Sequence, residues 1–231
     1  MSDNFNPDKY IEEITGAFEA IADSECAEGQ KKYMRNKFEF CGIQARPRRE
    51  AARKFMRKDN RPVYENLAVV IKKLWKKEER EYQYFAVELL ERYEKNFTED
   101  IISLFEYMIT KKSWWDTVDR IAKNLTGRYF ESFPENRERY LQKWVRSDNI
   151  WLKRTDLLFQ LGYKENTDAV LLFDLINQLK DIDEFFIQKA IGWSLREYSK
   201  VEPKVVEEFI QNHDFSSLST REGMKVINKN K

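Results

Sequence analysis

Three segments of the chain gather residues able to act on a developing positive charge. The first is Lys112-Ser113-Trp114-Trp115-Asp116-Thr117-Val118-Asp119. With Ser113 as an N-cap, Trp115 and Asp119 stand four residues apart and share one face of a helix. A carboxylate beside an indole is wasteful in an ordinary core, because a buried charge is costly unless paired. It suits a reaction that creates a cation. Hydrolysis of an N-glycosidic bond passes through an oxocarbenium-like sugar, which a carboxylate stabilises and an aromatic face can contact. The segment also fits a plainer reading, in which one Trp packs inside and Asp116 and Asp119 face water.

Two later segments add to the set. Ser147-Asp148-Asn149-Ile150-Trp151-Leu152-Lys153-Arg154 puts Arg154 about one helical turn after Trp151. In the run from Glu184 to Trp193, Gly192 falls inside an expected helix. Glycine there costs about 1 kcal/mol relative to alanine, so it signals close approach by a neighbouring helix or a ligand. Asp119, Arg154 and Lys189 are spaced by 35 residues and then 35 again, as if lined up along one surface. Other chemistries are poorly supplied. Cys26, Cys41 and His213 are the whole complement of cysteine and histidine, with no C-x-x-C pair. A zinc site of Cys and His is therefore all but excluded, and no other metal or cofactor is called for. A Ser-His-Asp mechanism would rest on His213 alone, near the C-terminus, where a structural or solvated role is expected instead. The two cysteines read as free thiols.

Helices must position these residues. Only 7 Gly and 5 Pro serve 231 residues, too few turns for a strand-rich fold. Aromatics reach 14%, enough for a core and for stacking on bases. Ile11, Ile14, Phe18 and Ile21 mark the face of a first helix, and similar spacing recurs in Val69–Leu74, Tyr84–Tyr93, Ile101–Met108, Ile150–Leu161, Ala169–Leu179 and Phe185–Tyr198. Helix starts are expected at Thr98, at Ser147 or Asp148, and at Pro203, with turns at 59–62 and 131–137. Trp75 reads as a helix-end aromatic lying on lysine stems, or as a residue inserted toward DNA; Trp144 reads as core. WLKRTDLLFQLGY (151–163) aligns without a gap on FIQKAIGWSLREY (186–198), 35 residues later, and Tyr93 precedes Tyr163 by twice that spacing. A period near 35 with two helices per unit predicts an all-α, right-handed solenoid of antiparallel HEAT-like helix pairs, forming a single domain over 1–231 without an internal linker.

Net charge is only +1, yet it is segregated. Residues 1–30 hold eight acids against Lys9, whereas 31–58 hold eleven bases against Glu39 and Glu50. Such an arrangement makes a local basic surface on a neutral protein, or pairs opposite charges between neighbouring helices. The first ten residues lack the basic and apolar regions of a secretory signal, and no run approaches the ~18 apolar residues of a membrane span. The expectation is a soluble cytoplasmic protein with no membrane partner.

The strings KSWWDTVD, SDNIWLKR and FFIQKAIGW, preceded by YMRNKFEFCGIQ, resemble the AlkD family of bacterial alkylpurine DNA glycosylases, in order, from about Tyr33 to Lys225. The resemblance implies a C-shaped stack of helical repeats, monomeric, holding double-stranded DNA on a basic concave face. It implies release of N3-methyladenine and N7-methylguanine without flipping the base into a pocket, in contrast to the usual glycosylase. On this sequence the family's catalytic carboxylate falls on Asp119, its active-site tryptophans on Trp115 and Trp193, and its DNA-contacting arginine on Arg154; Tyr33 matches a tyrosine near the DNA. Lys189 joins the DNA-binding set by its spacing. No lysine nucleophile is implied, so an abasic site would be the product. Two departures concern the surroundings: dense basic residues over Arg46 to Lys58, and Gly162 where a lysine is usual. Relatives that lose a catalytic residue bind DNA without excising bases. A non-catalytic binder of damaged or branched DNA is thus the alternative, and a scaffold for protein partners a third reading that leaves the Trp–Asp–Arg–Trp set unexplained.

Overall fold

The computed structural model describes residues 5–229. The first four residues and the last two lie outside them, and with them part of the ten-residue start that the sequence reads as free of a secretory signal. The chain packs as two compact units, Met1–Phe97 and Thr98–Lys231. Among the described residues the only strand-like pairing is an isolated bridge between Glu39 and Glu79. No helix among the described residues is long and apolar enough to cross a membrane.

The first unit contains α1 (Pro7–Glu19), α2 (Ser24–Tyr33), α3 (Ala45–Ala52), α4 (Tyr64–Lys76) and α5 (Arg80–Glu91). Asn6 starts α1 by accepting the N–H groups of Asp8 and Lys9 at 2.9 and 3.1 Å, and Pro7 occupies the first turn, where no donor is needed. Tyr10, Ile11, Ile14 and Phe18 turn inward against α3 and α4. Ile21, expected on the same face, lies beyond the helix and is exposed. Trp75 is fully buried and is not turned outward. The irregular run before α3 is tied down by Glu81, whose buried carboxylate accepts the N–H groups of Cys41, Gly42 and Ile43 at 3.0–3.1 Å. Gly42 sits at φ 83°, and a Cβ there would lie 1.8 Å from the Asp23 carbonyl oxygen, so only glycine fits. Much of the basic stretch is internally paired: Arg48 and Arg49 with Glu88, Arg46 with Glu50, Lys31 with Glu28 and Glu39, and Arg57 with Asp59.

The second unit contains α6 (Ile102–Thr110), α7 (Trp115–Arg120), a π-helical segment (Ile121–Thr126), α8 (Gly127–Ser132), α9 (Pro134–Val145), α10 (Ile150–Leu158), α11 (Ala169–Leu179), α12 (Phe185–Tyr198), α13 (Pro203–Gln211), α14 (Ser217–Gly223) and α15 (Lys225–Lys229). Helix α10 is its centre and packs on α6, α7, α9, α11 and α12, while α14 covers α12. Leu157, Leu158, Ile176, Ile187, Ile191 and Leu195 form the heart of its core. Trp144 is core as expected, its indole N–H donating to Glu106.

Some local starts differ from the sequence reading. The cap of α10 is Asn149, accepting the N–H groups of Trp151 and Leu152, instead of Ser147 or Asp148. Ser113 caps nothing; its hydroxyl donates to Ile109 O at 2.6 Å and closes the end of α6. At Thr98 a 3-10 turn, Glu99–Ile101, precedes α6. The expected turn over 131–137 shrinks to Phe133, because Pro134 begins α9 at once. Pro203 does begin α13.

The period, by contrast, is sharper than the aligned strings suggested. Helices α3, α5, α7, α10 and α12 begin at Ala45, Arg80, Trp115, Ile150 and Phe185, every step 35 residues. Equivalent positions repeat their work. Gln83 donates to the carbonyls of Leu74 and Lys77, and Gln188, at the same register, to those of Lys180 and Ile182. Each thereby satisfies carbonyls around the end of the preceding helix. Tyr93 and Tyr163 likewise donate to the backbone oxygens of Pro62 and Gly127.

Candidate active site

The fifth residue of α7 is Asp119, the fifth of α10 is Arg154 and the fifth of α12 is Lys189. Because α7 and α10 pack together, this shared register brings Asp119 against Arg154. Arg154 Nε lies 2.6 Å from Asp119 Oδ1 and Nη2 lies 2.9 Å from Oδ2, a bidentate pair. The remaining nitrogen, Nη1, donates to the carbonyl oxygen of Phe186 on α12. Arg154 is thus spent on two neighbouring helices, with its side chain 4% exposed against 14% for Asp119. Burial pushes the Asp119 carboxyl above the usual carboxylate range and Asp116 adds to this, while the hydrogen bonds and charge of Arg154 oppose it.

An aromatic cluster meets the pair at Phe186. Trp114, Trp151 and Phe186 form a triangle with ring centroids 5.6, 4.9 and 4.9 Å apart, and the Arg154 guanidinium lies 5.9 Å from the Phe186 ring. Trp115, one turn before Asp119 on the same face, and Trp193, one turn after Lys189, are both half-buried. The backbone departs from α geometry right after the carboxylate, in the π-helical segment Ile121–Thr126, a distortion common at functional sites. Gly192 is the close approach its place in a helix implied, and the neighbour is α14: a Cβ would meet Glu222 Cβ at 2.5 Å and Ser219 O at 2.9 Å.

The 35-residue line of Asp119, Arg154 and Lys189 therefore becomes two ion pairs. Asp119 meets Arg154, whereas Lys189 turns the other way to Glu222 on α14, at 2.8 Å. Arg154, expected on a phosphate, is the most buried member of the set. Tyr33, the last residue of α2, belongs to the first unit and is 73% exposed. Sequence reasoning missed Phe186, Trp114 and Glu222 as members of this neighbourhood. Phe186 had a signal, since it aligns with Trp151 one period earlier. It missed Asp156 too, two residues past Arg154, a wholly buried acid neither of whose oxygens meets a hydrogen-bond partner among the described residues. Burial drives that carboxyl well up, with Lys153 opposing.

His213 has a packing role: its Nδ1 lies 2.9 Å from Phe209 O and its ring 4.4 Å from that of Phe209. Cys26 and Cys41 are free thiols, and burial pushes Cys41 up to about 12. Gly162 adopts φ 97°, which a lysine in its place would tolerate only with strain.

Residues 14–227 match the family model described as DNA alkylation repair enzyme. The chain belongs to that family. A solved structure described as a predicted DNA alkylation repair enzyme from Enterococcus faecalis is 34% identical, covers 90% of this chain and 97% of its own, and superposes with a TM-score of 0.84. The crystal structure of AlkD2 from Streptococcus mutans, 16% identical, covers 84% of this chain and 97% of its own with a TM-score of 0.63, a likeness of fold. No curated protein matches the chain. Membership of a DNA alkylation repair family implies a DNA substrate.

Proposed function

We propose that the chain is a monofunctional DNA glycosylase that hydrolyses the N-glycosidic bond of cationic alkylated purines, such as N3-methyladenine and N7-methylguanine, in duplex DNA. Alkylation has already made the base positive. The C1′–N bond can therefore break with its electron pair returning to the ring, and the base leaves neutral without a general acid. What remains is an oxocarbenium-like sugar. The Asp119 carboxylate opposes that charge, and Trp115 and Trp193 offer indole faces to the deoxyribose. Water adds to C1′, and its proton passes to the Asp119 carboxylate and on to solvent. The base need not be flipped into a pocket for any of these steps.

Arg154 is assigned here as a positioning residue in place of a phosphate contact. A guanidinium that grips both oxygens of Asp119, and a backbone carbonyl of the next helix besides, holds the carboxylate charged and in one orientation. The 35-residue period suits stacked HEAT-like helix pairs, with duplex DNA bound by a monomer. Tyr33 and Lys189 would then contact the DNA backbone. The observation that carries this reading is the carboxylate of Asp119, clamped by a buried guanidinium, in a chain of the DNA alkylation repair family.

The test is release of N7-methylguanine from duplex DNA by the purified protein and by Asp119→Asn, with a metal chelator present. Base release by the wild type, and at least ten-fold less by the variant, is the expected result. No release by the wild type with DNA binding intact would overturn it in favour of a non-catalytic DNA binder.

A further inference from the structure

Beyond Trp193 on α12, three cations converge on one acid. Glu222 of α14 has a side chain only 3% exposed, and it lies 2.8 Å from Lys189 Nζ, 2.8 Å from Arg196 Nη1 and 2.6 Å from Lys225 Nζ. Burial would raise this carboxyl, but the hydrogen bonds and charges of Lys189 and Lys225 outweigh it and hold it near about 2. A single acid cannot neutralise three bases, so the group keeps a net charge of +2. That excess faces outward, with the side chains of Lys189, Arg196 and Lys225 at 37%, 26% and 48% exposure.

The arrangement is a built one. Its acid can stand this close to α12 only because residue 192 is glycine. On α12, Phe186, Lys189, Trp193 and Arg196 follow at intervals of three and four residues, so the two bases flank Trp193 on one stripe. The stripe begins at Phe186, whose carbonyl accepts from Arg154, the partner of Asp119. Long cationic side chains ordinarily lose rotamer freedom when they bind an anion. Here a common carboxylate already gathers them, leaving donors over for a second anion.

We propose that Lys189, Arg196 and Lys225, gathered by Glu222, form a phosphate clamp that grips the DNA backbone next to the sugar covered by Trp193. The inference rests on the glycosylase reading for its substrate but makes its own demand on binding. Each phosphate contact releases condensed counterions, so removing one lowers the slope of log K against log salt by about one.

The experiment measures affinity for an unmodified duplex between 50 and 300 mM salt for the wild type, Lys189→Gln, Arg196→Gln, Arg196→Lys and Lys143→Gln. Lys143 serves as a reference, since it is an exposed lysine of α9 paired with Glu106. Thermal melting of each variant confirms folding. The expected result is a slope reduced by about one in Lys189→Gln and Arg196→Gln, and a wild-type slope in Arg196→Lys and Lys143→Gln. A wild-type slope in either clamp variant would overturn the clamp, and so would equal losses in all three neutralised variants. Undamaged duplex needs no excision, so the two proposals can fail separately. A protein that releases no base yet shows these slopes loses the glycosylase reading and keeps the clamp; one that excises with unchanged slopes loses the clamp, and Lys189 as a backbone contact with it, while the excision reading stands.

Discussion

At the residue scale, the Asp119–Arg154 pair makes the firmest demands. Arg154→Gln leaves a largely buried carboxylate without its counter-charge, at a cost of about 3 kcal/mol by analogy with other broken buried pairs. Adding Asp119→Asn removes the orphaned charge, so the double variant should recover much of that stability in urea unfolding; simple addition of two losses would contradict it. The pair also sets a pH dependence. In the proposed mechanism excision needs the Asp119 carboxylate, whose value burial raises and Arg154 lowers. Activity should therefore fall as pH drops through a limb above the ordinary aspartate range, and Arg154→Gln should move that limb to higher pH. A profile that stays put would remove Asp119 as the titrating group. The sequence announced Asp119, Trp115 and Arg154 through residue type and spacing. It said nothing of their mutual contact, because whether a guanidinium faces a phosphate or a carboxylate depends on how closely α7 and α10 approach.

At the element scale, α12 and α14 are joined through Gly192. Gly192→Ala would force its Cβ onto Glu222 Cβ and the Ser219 carbonyl, neither of which is the far end of a flexible chain. Overpacking of this kind costs about 1–3 kcal/mol, so chemical denaturation should register a clear loss for a change that normally favours helices. An unaltered midpoint would mean that α14 rides freely on α12. The helices themselves were well foreshadowed, and so was the glycine as a point of close approach. Their ends were less legible. Asn149 displaces Ser147 as cap, and Ser113 turns back to α6, because several neighbouring polar residues could serve and only the path of the chain chooses among them. The π-helical segment left no trace in periodicity, since one widened turn shifts a hydrophobic stripe by less than the scatter of the pattern.

At the scale of the whole molecule, two acids of the second unit pull stability in opposite directions with pH. The lowered Glu222 contributes stability that is complete above its unfolded value near 4.5 and is lost as pH falls toward about 2. Asp156 behaves conversely: the folded chain keeps its proton, so stability is lost as pH rises above the unfolded value of 3.8. Asp156→Asn keeps the shape of the neutral acid and should flatten the fall in unfolding free energy as pH rises above 3.8; parallel curves for variant and wild type would refute this. The distribution of charge was only half legible. The eleven bases of 31–58 signalled a basic surface, but many of them answer acids within the same unit, and Glu88 as the meeting point of Arg48 and Arg49 lies too far along the chain to be guessed.

The 35-residue stepping of helix starts carries a consequence for how such a protein can change its trade. The fifth place in each successive copy is held by Arg49, Tyr84, Asp119, Arg154 and Lys189. One architectural slot thus accommodates a base, a phenol or an acid without altering the length of the unit that bears it. Chemistry in such a chain is an inscription on one copy among several, and a single codon can write or erase it while the others go on shaping the same scaffold. Lineages built this way should readily yield siblings that share the frame and have forgotten the reaction.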